Sequence, residues 1–391
     1  MNEYYKKALE LNAEIVNNRR ILHGFAETGF DLPQTLSFVK AKLLEYGLRP
    51  EQSGKAGITC TVGRPGRTIL LRADMDALPM RENTGLDFAA TNGNCHSCGH
   101  DCHTAMLLGA AKLLKENEAA LQGTVKFMFQ PAEELLAGAK DMIAAGILEN
   151  PRVNAAIGMH VMVGTEHSHS GTVYYSKGTA LFSGDAIKVT IKGKNAHGST
   201  PEKGIDAINI AAHIVISVQE IIAREIPCQD QAVVIVGKLQ GGDTVNTLAG
   251  NAVIEISVRA STEDKRAYLK KRVKEISESV ANTFRGEAIV EFVYGIGPLY
   301  NDPALSEEIS HYCEEFLGED KVTEVPASSG TEDFTEVAGL VPSVMLNLGA
   351  GSIAEGHSCS MHNPGMLVNE NVLPQGAALY AHCAEAYLKN H

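Results

Sequence analysis

Short apolar runs that alternate with helical patterns limit the fold of this chain. Three such runs, at 68–72, 125–130 and 155–159, lie in the first half of the sequence. Between them, apolar residues recur at helical spacing over 104–118 and 138–145. A strand that is apolar on both faces needs helices over both faces, as in a parallel sheet. The pattern therefore predicts an α/β fold with a mixed, mostly parallel sheet that is covered by helices.

The two ends of the chain extend this prediction. Amphipathic helices are expected over about 3–23 and 33–47, and Pro33 opens the second of them. A fourth apolar run at 343–348 and a last helix over about 371–389 are expected near the C-terminus.

The middle of the chain follows a different pattern. Apolar and polar residues alternate over 186–192, as expected of a strand with one covered face. The following segments predict a helix, two strands, a charged helix and a strand, at 204–220, 232–239, 252–259, about 263–284 and 288–293. This order is typical of a ferredoxin-like α+β unit. We therefore predict a domain at 184–294, inserted into a domain made of 1–183 and 295–391.

The charge and hydropathy of the chain argue against two classes of partner. The 391 residues carry 34 Lys and Arg against 47 Asp and Glu, a net charge of −13, which disfavours nucleic acid. The longest apolar run, 207–218, is shorter than the roughly 18–20 residues that a membrane span needs. Residues 1–20 are charged and helically spaced, unlike a signal peptide. A cytoplasmic protein without a membrane or nucleic-acid partner is therefore expected.

Potential metal ligands crowd into the segment from Cys95 to His103. This segment contains three of the eight cysteines and three histidines. Eight cysteines in 391 residues are too sparse for a disulfide scaffold. The residues alone leave a metal site, a redox dithiol and half of a structural zinc site as alternatives.

Further candidate ligands follow the predicted strands of the main sheet. Ligand sites in open α/β sheets lie beyond the carboxyl ends of their strands, which brings such residues together. The candidates are Asp74, Asp76, Glu133, Glu134, His160 and, after the fourth run, His362. A mixed set of thiolate, imidazole and carboxylate suits zinc or manganese. Taken singly, adjacent glutamates are usually a solvated helix start, and a lone histidine such as His160 at a strand end is more often a hydrogen-bonded core residue.

Five motifs resemble one family of di-metal amidohydrolases. They read RADMDALPM at 72–80, CGHDCHTAMLLGAAKLL at 98–114, FQPAEE at 129–134, GMHV at 158–161 and GTEDF at 330–334. The family includes hippurate hydrolase, bacterial N-acyl-amino-acid amidohydrolases and plant auxin-conjugate hydrolases, and it is related to aminoacylase and carboxypeptidase G. The resemblance implies a catalytic domain like that of the di-zinc exopeptidases, with an inserted lid domain that commonly forms a homodimer.

The resemblance also implies a ligand set. Two divalent ions per chain, zinc or manganese with cobalt or nickel also possible, would be held by Cys98, His100, Glu134, His160 and His362. Glu133 matches the general acid/base of the family. The wider family has His-x-Asp where this chain has Asp74-Met-Asp76, so that Cys98 compensates for the absent histidine. Asp76 and Asp101 are then expected to support the ligands without binding metal.

Three residues of the predicted lid match positions that meet substrate in relatives. His197 would polarise the scissile carbonyl, in its own or in the partner's active site, and Asn246 and Arg259 would bind substrate. On the residues alone, His197 fits a surface turn, and Arg259 fits the solvated end of a strand.

The reaction expected from the resemblance is hydrolysis of the amide bond of N-acyl amino acids, such as N-acetyl or N-benzoyl compounds. A metal-bridged hydroxide would attack the amide, with Glu133 as general acid/base. One alternative is a dipeptidase or exopeptidase that uses the same two metals. A second is a non-catalytic zinc or thiol protein built on Cys95–His103, which would leave Glu133, His160 and His362 without a role.

Overall fold

The computed structural model describes residues 2–391, which divide into two compact units. The first unit comprises the chain up to Ala180, residues 300–326, and the chain from Asp333 onward. The second comprises residues 181–299 and the short segment 327–332. The boundaries at 184 and 294 that the sequence predicts lie within a few residues of these, but the segment 327–332 is not part of that prediction.

The strands are numbered along the chain. They are β1 (Glu51–Ser53), β2 (Gly57–Gly63), β3 (Thr68–Asp74), β4 (Thr124–Gln130), β5 (Ala155–Met162), β6 (Val173–Tyr175), β7 (Gly178–Leu181), β8 (Gly184–Lys192), β9 (Ala196–His197), β10 (Ala232–Gly241), β11 (Thr247–Leu248), β12 (Asn251–Ala260), β13 (Glu287–Ile296), β14 (Leu299–Asn301), β15 (Val322–Glu324) and β16 (Ser343–Gly349).

The α-helices are numbered in the same way. They are α1 (Glu3–Glu10), α2 (Asn12–Phe25), α3 (Pro33–Glu45), α4 (His100–Glu116), α5 (Gly138–Ala144), α6 (Ala207–Ser217), α7 (Glu263–Thr283), α8 (Pro303–Leu317), α9 (Thr335–Ala338) and α10 (Leu373–Asn390).

An eight-stranded mixed sheet forms the centre of the first unit. Its strand order is β1-β2-β4-β3-β5-β16-β6-β15, and the four middle strands β4, β3, β5 and β16 run parallel. Every residue of β3 and β4 is buried, as expected of strands that are covered on both faces. Helices α2 and α10 pack against α4, whose apolar side chains belong to the same core. The predicted α/β fold with a mostly parallel sheet is confirmed.

The second unit contains a four-stranded antiparallel sheet with the order β10-β12-β8-β13. Numbered within this sheet, the order is 2-3-1-4, and helices α6 and α7 follow its first and third strands. The inward residues of β8 and β12 form a core of their own with those two helices. The predicted ferredoxin-like α+β unit is confirmed.

Several elements of the first unit differ from the sequence predictions. The predicted helix over about 3–23 is two helices, α1 and α2, because Leu11 between them leaves helical geometry with φ −87° and ψ 2°. The strands β1 and β2 were not predicted, since they form a short antiparallel edge. Helix α8 was not predicted either, although Asp302 caps it by accepting a hydrogen bond from the Leu305 N–H at 2.8 Å.

One helical stretch, Ala207–Glu225, has the length and composition to cross a membrane, with 19 residues and a mean hydropathy of 1.3. It exceeds the apolar run that the sequence indicates because helical structure continues beyond α6 through a π-turn at Ile221–Glu225. Ala207, Ile210 and Ile214 of this stretch are buried in the core of the second unit. Core helices commonly meet the same criterion, so the stretch is weak support for a membrane span.

Candidate metal centre

The candidate ligands of the first unit meet at the carboxyl ends of its parallel strands. Asp74 ends β3, the Glu133–Glu134 pair follows β4, and His160 lies near the end of β5. His100 is the first residue of α4, and Gly99 before it has φ +87°. A Cβ on Gly99 would lie 2.4 Å from the Val161 side chain, so this position needs glycine for α4 to begin close to β5.

Two groups of three ligand atoms share Cys98. One group is Cys98, His100 and His160, and the other is Cys98, Glu134 and His362; within each group all ligand atoms lie within 4.8 Å of one another. Cys98 Sγ is 3.5 Å from His160 Nε2, and Glu134 Oε1 is 3.5 Å from His362 Nε2. Tetrahedral coordination at about 2.0–2.3 Å puts neighbouring donor atoms roughly 3.3–3.8 Å apart. These separations therefore fit ions between the side chains.

Several buried side-chain atoms of this cluster that could bind metal have no hydrogen-bond partner among residues 2–391. They are both ring nitrogens of His100 and Oε1 of Glu134. His100 Nε2 instead faces carboxylate oxygens at 3.6 Å from Asp74, 3.9 Å from Glu133 and 4.0 Å from Glu134. Burying polar atoms without partners is costly, and a bound cation is one way to satisfy them. The residues present fit a divalent metal.

The electrostatics of the cluster are also compatible with a bound cation. Burial raises the pKa of Glu134 above its usual range, and burial raises the pKa of the Cys98 thiol. Burial lowers the pKa of His160, which leaves its ring neutral, as a ligand must be. A bound cation favours the thiolate and the carboxylate and so opposes the effect of burial on both acids.

A constrained turn carries the two glutamates. Ala132 and Leu136 both adopt positive φ, at 52°, which is uncommon for residues with a side chain. A Cβ on Gly138 would lie 1.6 Å from the Pro131 carbonyl oxygen, so the turn closes only with glycine there.

Asp76, two residues beyond the end of β3, fixes the same turn. Its Oδ1 accepts a hydrogen bond from the Glu133 N–H at 3.0 Å, and its Oδ2 accepts one from the Glu134 N–H at 3.2 Å. Oδ1 also lies 3.5 Å from His100 Nδ1. Asp76 therefore contacts the segments of three candidate residues, which is the pattern of a carboxylate that orients metal ligands.

His362 reaches the cluster from a loop after β16. Its φ is 60°, and its N–H donates to the Ser97 carbonyl at 2.7 Å, which ties the loop to the segment before Cys98. The side chain is 53% exposed, so His362 is the solvent-facing member of the set.

Asp101 faces away from the candidate ligands. Its Oδ2 lies 2.7 Å from Arg19 Nε and 2.7 Å from His23 Nδ1, in a buried cluster between α2 and α4. Asp101 therefore anchors the start of the helix that carries His100.

The predicted substrate residues lie in the second unit. Strand β9 pairs with β11 so that His197 is opposite Thr247, and the Gly198 N–H donates to the Asn246 carbonyl at 2.8 Å. His197 Nδ1 is 2.7 Å from the Ser199 hydroxyl, and both His197 and Asn246 are exposed. Arg259 lies elsewhere in the unit, where Nη1 donates to the Ser329 carbonyl at 2.7 Å. The structure thus brings His197 and Asn246 together.

A buried ionic network that no sequence pattern indicates lies beneath the cluster. Arg72 Nη1 contacts Asp74 Oδ2 at 2.7 Å, and Nη2 contacts Asp333 Oδ1 at 3.1 Å. Gln130 Nε2 donates to the same Asp333 oxygen at 2.6 Å. Arg72 and Asp333 lie in two of the motifs that the sequence displays, but their contact joins residues 261 positions apart. No spacing in the sequence reveals such a contact.

Comparison with known proteins identifies the family. Residues 70–386 match the family described as Peptidase family M20/M25/M40. The chain is 36% identical over 383 residues to the IAA-amino acid hydrolase ILR1-like 4 of Arabidopsis thaliana, covering 96% of this chain and 86% of that protein. It is 33% identical over 367 residues to the N-acetyl-L-cysteine deacetylase of Bacillus subtilis (strain 168), covering 93% and 85%.

A solved structure agrees with these sequence matches. The YXEP protein of Bacillus subtilis, described as a dinuclear metal binding peptidase from the M20 family, superposes with a TM-score of 0.85 at 28% identity. The match covers 98% of this chain and all of that one. The resemblance expected from the motifs is confirmed, and the chain belongs to the peptidase family M20/M25/M40.

Proposed function

We propose that this protein is a metal-dependent amidohydrolase that cleaves the amide bond between an acyl group and an amino acid. The observation that carries the proposal is the convergence of Cys98, His100, Glu134, His160 and His362 into two donor groups that share one thiol. The family consists of metallohydrolases, and the names of two relatives refer to an amino-acid conjugate and to an N-acetyl amino acid. These names favour N-acyl amino acids as the substrate class.

The five donors would hold two divalent ions, with zinc or manganese as the candidates. When bound, such ions supply Lewis acidity toward a carbonyl oxygen and make water more acidic. The ligands divide so that Cys98, His100 and His160 form one donor group and Cys98, Glu134 and His362 form the other. Cobalt or nickel would also accept this set.

Glu133 is the proposed general acid/base. It is 6% exposed, and its Oε2 lies 3.9 Å from His100 Nε2, next to the donor atoms. In this role the carboxylate takes a proton from the attacking water and then delivers a proton to the leaving nitrogen of the amide. Asp76 holds the Glu133 backbone N–H, so it orients the residue that moves the proton.

The second unit would supply the remaining substrate contacts. His197 would donate a hydrogen bond to the scissile carbonyl oxygen, and removing one such donor typically costs about 10²–10³ in rate. Asn246 and Arg259 would bind the amino-acid part, with the guanidinium facing a free carboxylate. A homodimer formed through the second unit and a cytoplasmic location belong to the same proposal.

The test is amine release from a panel of N-acetyl, N-benzoyl and longer N-acyl amino acids. Protein is stripped of metal and reloaded separately with zinc or manganese, and Glu133→Gln serves as the control that keeps all five proposed ligands. We expect metal-dependent release from at least one acyl class and almost none from the variant. Equal release by Glu133→Gln, or release that persists without metal, would contradict the proposal.

An exopeptidase that uses the same site is the second candidate. The solved structure described as a dinuclear metal binding peptidase supports it. Free dipeptides in the same panel separate the two: the amidohydrolase prefers substrates with an acylated nitrogen, whereas the exopeptidase prefers a free terminal amine.

A further inference from the structure

His103 lies behind the donor cluster and uses both of its ring nitrogens. The ring is buried on the first turn of α4, one helical turn beyond His100. Its Nδ1 is 2.6 Å from Asp74 Oδ1, and its Nε2 is 2.9 Å from the backbone nitrogen of Val161. The side chain thus links the ends of β3 and β5 through the start of α4.

The geometry defines the tautomer of His103. A backbone N–H can only donate, so Nε2 accepts the bond from Val161 and carries no proton. The proton therefore resides on Nδ1 and is donated to Asp74. The second oxygen of Asp74 is held by Arg72 Nη1 at 2.7 Å, which keeps the acceptor in place.

Val161, whose backbone N–H is held by His103, also orients His160 through its backbone carbonyl. His160 Nδ1 lies 2.6 Å from the Val161 carbonyl oxygen, to which it donates, and this leaves Nε2 unprotonated and facing Cys98 Sγ. The rings of His103 and His160 pack at 62° with centroids 4.4 Å apart. Val161 is therefore held by His103 at its N–H and by His160 at its carbonyl.

We propose that His103 is a positioning residue, which holds the backbone of Val161 so that His160 presents Nε2 to one of the two metal ions. This inference rests on the function proposed above. It predicts a selective effect: the ion bound by Cys98, His100 and His160 depends on His103, whereas the ion bound by Cys98, Glu134 and His362 does not.

His103 is not a ligand in this account. Asp74, His100 and His103 also lie close enough to form a donor group. However, Nδ1 of His103 is bonded to Asp74, and Nε2 is bonded to a backbone amide. Neither nitrogen has a lone pair free for metal in the arrangement described.

The test is a titration of metal-free protein with Co²⁺, followed by absorbance and by competition with a chelator. His103→Asn keeps a donor near Asp74 but cannot reach Val161, whereas His103→Gln can place an acceptor near the Val161 N–H. We expect His103→Asn to lower the affinity for one of the two Co²⁺ ions by about 10–100-fold and to leave the affinity for the other unchanged. Residues that support metal ligands typically have effects of this size. His103→Gln should recover part of the loss.

Thr104→Val is the matched control. Thr104 is next to His103 on α4. Its hydroxyl donates to the Asp74 backbone carbonyl at 2.8 Å, and this contact does not involve Val161. The Thr104→Val substitution should lower thermal stability and leave the affinities for both Co²⁺ ions unchanged. In a His160→Ala background, adding His103→Asn should cause no further loss of affinity, because the residue through which it acts is already gone.

Three results would overturn the positioning role. They are unchanged affinities in His103→Asn, equal weakening of both ions, or a further loss in the His160→Ala background. Fewer than two ions in the wild-type protein would instead refute the two-metal site itself, and with it the proposed function. The Gln variant keeps the test decisive if the Asn variant does not fold.

Discussion

Asp76 shows how one side chain can organise a site without binding its ion. Its two oxygens accept the N–H groups of Glu133 and Glu134, and one of them also faces His100 Nδ1. In asparagine one of these two oxygens becomes an NH₂ group, which would face one of the two N–H groups as a second donor. We expect the Asp76→Asn variant to remain folded and its kcat to fall by about 10–100-fold. Its affinity for metal should fall to a similar degree.

Asp141→Asn is the control for this prediction, measured by kcat, metal content and Tm. Asp141 Oδ2 also accepts a backbone N–H, from Lys55 at 2.7 Å, but it lies outside the donor cluster. A wild-type kcat in Asp76→Asn, or the same loss in Asp141→Asn, would contradict the role of Asp76.

The sequence shows which residues belong to this site better than it shows what holds them. The proposed ligands lie in motifs or directly after apolar strands, where both spacing and resemblance indicate them. The supporting residues His103, Arg72 and Asp333 lie in the motifs too, but their contacts do not show there. His103 meets Val161 across 58 positions, and Arg72 meets Asp333 across 261. Such contacts follow from packing between elements, which no local pattern encodes.

A buried charge cluster joins α2 to α4, the helix that begins at His100. His23 Nδ1 is 2.7 Å from Asp101 Oδ2, and His23 Nε2 is 3.0 Å from Glu82 Oε1. Arg19 shares the Asp101 carboxylate at 2.7 Å. Burial opposes the charged ring, but the Asp101 charge and the hydrogen bonds to Asp101 and Glu82 outweigh it, so the pKa of His23 is raised above its usual value.

The raised pKa sets the sign of a pH dependence. A histidine whose pKa is higher in the folded state stabilises the fold below its ordinary pKa of about 6.5, and this contribution is lost as pH rises through the folded pKa. His23→Gln should therefore lower the free energy of unfolding more at about pH 6 than at about pH 9.

Urea unfolding of metal-free protein measures this difference. The control is His311→Gln on α8, whose side chain is 66% exposed and faces Glu314 and Glu315. Exposed pairs contribute little, so this variant should behave like the wild type at both pH values. If His23→Gln lowers the free energy of unfolding equally at both pH values, or more at high pH, the proposed role of the His23 charge is wrong.

The elements that were predicted are those whose sequence pattern matches their burial. Strands β3 and β4 are apolar throughout and buried throughout, and β8 alternates in both respects. The missed strands β1 and β6 have three residues each and are defined by their pairing partners rather than by their own composition. Tertiary context therefore decides the short elements.

For the whole molecule, the proposal divides the reaction between the two units. Glu133 and the proposed ligands lie in the first unit, and His197 lies in the second. If His197 acts in the partner's active site, a mixed dimer of Glu133→Gln and His197→Ala contains one complete site. We expect co-expression of these two inactive variants to restore part of the wild-type rate of amine release.

A mixture of Glu133→Gln with His160→Ala is the control, because both changes damage the first unit and no complete site can form. Analytical ultracentrifugation verifies that each mixture contains dimers. Mixed dimers of Glu133→Gln and His197→Ala without activity would contradict the sharing of His197 between subunits.

The most direct test of the central claim is the rate of amine release as zinc or manganese is titrated into metal-free protein. If the protein is a two-metal amidohydrolase, the metal-free enzyme should release no amine. The rate should reach its maximum only as the second equivalent of metal binds. Release by metal-free protein, or a maximum at one equivalent, would contradict the two-metal account.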